Sequence, residues 1–166
     1  MEETMSYRHI LEEEIRKLPQ DMRGFERVVR SVYAQALEEA KRTGHSIESM
    51  TYEILEGVEA GCAKHPEETE KQLKYATEIM LDLLHHSAMV DIDKRHREAR
   101  AAHAALKETI EKEALHMQQT LETLHHFSRD HRHEGLHTEL PKISEMIHTY
   151  IENLAGKIEY NPLSGK

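Results

Sequence analysis

The chain has 166 residues, 38% hydrophobic and 32% charged, with a formal charge of −9. That length favours one domain, the apolar share is too high for disorder, and 7 Gly with 4 Pro are too few turn formers for a β-rich fold. The negative balance argues against nucleic acid as the main partner: the most basic stretch, Lys94, Arg95, Arg97 and Arg100, is interleaved with Asp91, Asp93 and Glu98 and reads as a solvated helix face.

A first helix is expected over 6–18, with Tyr7, Ile10, Leu11, Ile15 and Leu18 on one face at steps of three and four. Pro19 stops it or opens the next, and Asp21 is placed as an N-cap. The second helix, over 20–43, carries a stripe of Phe25, Val28, Val29, Val32, Ala36 and Ala40. Gly44 suits a left-handed cap at its end. Ser46 caps a third helix over 47–64, with Ile47, Met50, Ile54, Leu55, Val58 and Cys62 as its stripe. Gly57 and Gly61 are four apart on one face, a spacing that points to a tight helix crossing.

His65-Pro66-Glu67-Glu68 is a helix start, because proline suits the first turn and acids complement the positive end. From Glu67 to Glu134 there is neither Gly nor Pro, a run of 68 residues. One straight helix of that length would span about 100 Å, whereas a compact globule of this chain is about 40 Å across. Two apolar seams run along it: Leu73, Ala76, Met80, Leu83 and Ser87, then Ala99, Ala102, Leu106, Ile110, Met117, Leu121 and Leu124. The charged stretch 91–100 separates them and either continues the helix as a solvated rod or turns. A loop is expected over 129–138, centred on Gly135, then a last helix over 140–158 with Ile143, Met146, Ile147, Tyr150, Ile151, Leu154 and Ile158 as its seam. Asn161-Pro162 ends it, and 161–166 is a loose tail. The expected fold is all-α: one elongated bundle over 1–160, with a long helix over 66–129 and coiled-coil-like packing. Seams too long to be covered by the short helices call for a homo-oligomer, most simply a two-fold dimer.

No run of about 18 apolar residues exists to span a membrane, and the acidic start Met1-Glu2-Glu3 is not a secretory signal. Cys62 is the only cysteine, so no internal disulfide forms, and cytoplasm is the default compartment.

Histidine is the unusual residue: 14 in all, 11 of them between His85 and His148. Seven follow an acid by three residues, as in Asp82 and His85, Glu113 and His116, Glu122 and His125, Asp130 and His133, or Glu145 and His148. The sharp reading of Glu-x-x-His is metal, because two ligands then share one helix face, an arrangement that resembles the bundles holding two iron or manganese ions. The resemblance covers the four-residue motif alone. At 100° per residue, Glu113 faces inward and His116 sits at the edge of its stripe, while the pairs at 82, 122 and 145 face away. Glu53, Glu56 and Glu59 are partners that a sequence cannot dock. The bland reading is mutual attraction of acid and histidine on a solvated helix.

A second metal candidate is the loop 130–137, where His131, His133 and His137 offer imidazoles to Zn²⁺, Ni²⁺ or Cu²⁺, against the alternative of a solvated polar loop. His103 falls on the apolar stripe seven residues after His96, where stacking across a dimer would respond to pH. The sequence carries no phosphate loop or nucleophile elbow, and Cys62 reads as packing rather than nucleophile. These features assign no catalytic residue. The leading expectation is a non-enzymatic, self-associating helical interaction or scaffold protein with an unidentified protein partner. The alternative is a transition-metal-binding helical bundle, a metal ion being the one cofactor class left open.

Overall fold

The computed structural model describes residues 7–18, 22–44, 46–63, 66–99 and 103–159, and among them every regular element is an α-helix. In chain order these are α1 (Tyr7–Lys17), α2 (Met22–Thr43), α3 (Ile47–Gly61), α4 (Pro66–Ala99), α5 (His103–Asp130) and α6 (Glu134–Glu159). The expected signals at Pro19 and Asp21, the tail at 161–166, and the side chains of His96 and His103 lie outside the described residues.

The local signals act where the sequence places them. Ser46 Oγ accepts a bond from Ser49 N–H at 3.2 Å and caps α3. Gly44, with φ at +76°, ends α2 while its N–H donates to Ala40 O at 2.9 Å. That backbone conformation costs an L-residue about 1–2 kcal/mol and glycine little. Gly57 and Gly61 are where α1 crosses α3: an added Cβ would lie 2.7 Å from Arg8 O and 2.8 Å from Ile15 Cβ, respectively.

The long helix does not form. Asp91 and Glu113 are 22 residues apart, which one helix would place about 33 Å from each other. They instead line the same cavity, so the chain folds back between α4 and α5. The charged stretch 91–99 continues α4 as helix as far as Ala99, and α4, at 34 residues, is the longest helix among the described residues.

The helices α3, α4, α5 and α6 then run alternately up and down, with α2 alongside α4 in the same direction. Arg30 meets Asp82, and Lys41 meets Asp91 at 2.9 Å, along that α2–α4 contact. With neighbours on several sides, α4 buries more than one stripe: Leu73, Ala76, Ile79, Met80, Leu81, Leu84, Ala88 and Ile92 are all at most 2% exposed. The expected seam of period three and four was therefore a partial view of a central helix. Leu83 is less buried than Leu84 beside it.

Met117 and Leu124 on α5 are likewise fully buried within the one chain. Ile110 is buried too, so the described part of the second seam packs largely within the chain, while Ala102 and the side chains of Ala99 and Leu106 lie outside the described residues. All six helices contribute to one apolar cluster. No described helix is long and apolar enough to cross a membrane.

Candidate functional site

Among the described residues, exposed pairs within one helix aside, two sheltered places bring carboxylates and imidazoles together, at opposite ends of the α3–α6 bundle. The first is the turn from α5 to α6. It is three residues long, 131–133, not the ten expected. Arg132 holds φ at +54°. Its N–H donates to Arg129 O at 3.3 Å, and His133 N–H donates to Ser128 O at 2.8 Å. These are the paired bonds of a Schellman C-cap, with arginine at the position glycine usually takes.

The left-handed residue sets the two histidines on one side with rings parallel to 6°. Phe127, fully buried one turn earlier, stacks against His131 at 4.4 Å between centroids and against His133 at 5.6 Å. Gly135 belongs to the first turn of α6, where its lack of a Cβ makes room: a Cβ there would come 2.5 Å from Glu70 Oε2. That oxygen accepts a bond from Leu136 N–H at 3.0 Å, one of the four N–H groups a helix start leaves free. A carboxylate from α4 thereby caps α6, and the helix starts six residues earlier than expected. Pro141, which has no N–H, lies inside α6 on an exposed position.

Through its other oxygen Glu70 meets His133 Nδ1 at 2.6 Å. His133 Nε2 meets Glu59 Oε2. The second oxygen of Glu59 meets His131 Nδ1 at 2.8 Å, and His131 Nε2 lies 3.8 Å from Glu56. The result is an alternating chain, Glu70–His133–Glu59–His131–Glu56, drawn from α4, α3 and the turn. His133 is thus engaged through both of its ring nitrogens. The His133 side chain is 12% exposed and that of Glu59 29%, so the chain is half sheltered. Beside it the Tyr52 hydroxyl donates to Asp130 at 2.9 Å. Burial first, then that bond and the nearby acids, pushes Tyr52 up to about 12.

The second place is a cavity of about 440 Å³ between the end of α2, the start of α3, and α4 and α5. Glu113 and His116 line it. The inward reading of Glu113 holds, since its side chain is 12% exposed against 27% for His116. The two are 3.9 Å apart. Burial raises the Glu113 carboxyl above the usual carboxylate range, reinforced by Asp91. Burial also holds His116 below the usual imidazole range, with Lys112 adding to the effect.

The other predicted residues fall elsewhere. His137 is exposed and meets His125 edge-on at 6.3 Å. Asp130, three before His133, binds Tyr52 rather than that histidine's ring nitrogens. Glu145 and His148 face solvent as the wheel requires. His85 does not: it is half-buried against Tyr150, rings 4.2 Å apart, with Nε2 buried and unbonded. The Cys62 thiol is buried and pushed up to about 11, which suits packing rather than nucleophilic attack. The sequence reading named Glu59 only as one undockable acid and overlooked Glu70, because each finds its histidine more than 60 positions away.

The arrangement defines a helical bundle with a half-buried histidine–carboxylate centre. Among the described residues no group of three or more His, Cys, Asp or Glu side chains has the form of a ready metal site. No protein-family model matches the chain, and no curated protein or solved structure is significantly similar to it.

Proposed function

We propose that this is a non-enzymatic, cytoplasmic helical binding protein whose ligand is a divalent transition-metal ion, held by His131, His133 and Glu59, with Glu70 bonding the other ring nitrogen of His133. One observation carries the reading: two imidazoles and two carboxylates from three distant segments meet nitrogen to oxygen, with a strained Arg132 holding the rings in register. Non-glycine residues with positive φ concentrate at functional sites.

Imidazole and carboxylate together suit Zn²⁺. A tetrahedral ion with bonds near 2.0–2.2 Å separates its nitrogen and oxygen ligands by about 3.3 Å. The present His131–Glu59 contact, at 2.8 Å, is shorter than that. The ion would take the place of the shared proton and push the groups apart by about half an ångström, and binding would release protons. The iron alternative at Glu113 and His116 is less well supplied, since Asp91 beside them is held by Lys41.

The interaction reading keeps a narrower base. Among the described large apolar side chains only Val90 and Leu115 are exposed, so a dimer or a protein partner would have to use a polar face.

Titration of untagged, metal-free protein with Zn²⁺ in a calorimeter tests the proposal. We expect one ion per chain, protons released on binding, and affinity at least tenfold lower in Glu59→Gln and His133→Gln, with His148→Gln unchanged. If Zn²⁺, Ni²⁺ and Fe²⁺ leave heat and melting temperature untouched, the cluster is a structural brace for α6, and the interaction reading stands alone.

A further inference from the structure

We infer that the cavity at the opposite end of the bundle is a binding site for a small aliphatic amine, with Glu113 as the anion that receives the ammonium group. The walls supply both halves of such a ligand's chemistry. Leu37, Ala40, Ile47 and Leu84 provide an apolar surface. The cavity's volume of about 440 Å³ falls within the range of small-molecule sites.

The charges decide the sign of the ligand. Lys41 is already engaged, with Nζ 2.9 Å from Asp91 and 2.7 Å from Ser87 Oγ. Lys112 is exposed. His116 is favoured neutral by burial. Glu48 sits in the first turn of α3, where the positive helix end complements it. Glu113 differs from all of these. Among the described residues no hydrogen bond reaches its carboxyl; His116 Nδ1 lies 3.9 Å away, and Lys41 and Lys112 act on it from farther off. Burial and then Asp91 raise its titration, outweighing the opposing pull of Lys41 and Lys112. An ammonium on an aliphatic stem supplies the carboxyl with a hydrogen-bond partner and covers the apolar wall. A carboxylate ligand would find its cations occupied, neutral or turned to solvent.

The test uses the full metal-free chain and n-butylamine as the probe, with n-butanol and butyrate matched for stem length, followed by NMR titration and calorimetry at one pH. We expect saturable shifts around the cavity with butylamine, at least tenfold weaker binding of butanol and butyrate, and at least tenfold loss in Glu113→Gln. That change keeps the shape of the side chain and removes its charge. Equal binding of all three probes, no saturation with butylamine, or an unchanged Glu113→Gln would each overturn the assignment. The ligand series on the unmodified protein decides the matter even if the variant misfolds. Zn²⁺ titration at the other end is read separately, so neither site's failure touches the other.

Discussion

The two ends of the bundle hold the same side-chain types in opposite states of pairing. At the α5–α6 turn every imidazole nitrogen of His131 and His133 has a carboxylate within 4 Å, and both carboxylate oxygens of Glu59 are used. In the cavity Glu113 and His116 are about as sheltered but have no comparable partners. There, burial favours the neutral forms of both groups. Sheltered carboxyls and imidazoles are thus paired at one end of the bundle and left largely to burial at the other.

The largest way to break this contrast is to remove the wall behind the paired end. Phe127→Ala deletes a fully buried ring that stacks on both histidines. A loss of about 3–5 kcal/mol is expected in urea unfolding, together with loss of Zn²⁺ affinity, whereas amine binding to the folded fraction should persist. A loss below about 1 kcal/mol would mean that the ring is not the support of that end.

The unpaired end is sharpened by pH. Glu113 titrates above its unfolded value of 4.5. Its contribution to stability is full below 4.5 and is lost as pH rises through the folded value. His116 titrates below its unfolded value of 6.5, so its contribution is full above 6.5 and is lost as pH falls through the folded value. The two slopes oppose each other where they overlap between 4.5 and 6.5. Glu113→Gln should gain stability relative to the unmodified protein as pH rises from 4.5, and His116→Gln should gain relative to it as pH falls from 6.5. Urea unfolding at pH 5 and pH 7 measures both, and slopes of the same sign would contradict the burial argument.

The smallest effect concerns the cap. Arg132→Gly should relieve a left-handed arginine and stabilise the fold by up to about 1 kcal/mol, less the added freedom of the unfolded chain. Thermal melting would register it as a rise of a few degrees at most. A fall would show that the arginine side chain contributes more than its backbone costs.

Much of the helical framework was legible in local sequence. The Ser46 cap, the Gly44 stop, the Gly57 and Gly61 crossing and the inward aspect of Glu113 each depend on residues within a turn or two of each other. The long helix was not, because a run without Gly or Pro permits continuation but does not require it; the alternative is stabilised by burying α4 among several neighbours. The early start of α6 was illegible for a related reason, since its cap is Glu70, 66 positions away.

The sequence by itself determined an acidic, all-helical chain with its histidines concentrated in the second half, because helix period, caps and charge are properties of neighbouring residues. Tertiary structure alone decided which of those histidines meet acids, where the chain folds back, and which carboxyl is left without a partner. Those outcomes depend on distances between helices that no spacing along the chain encodes.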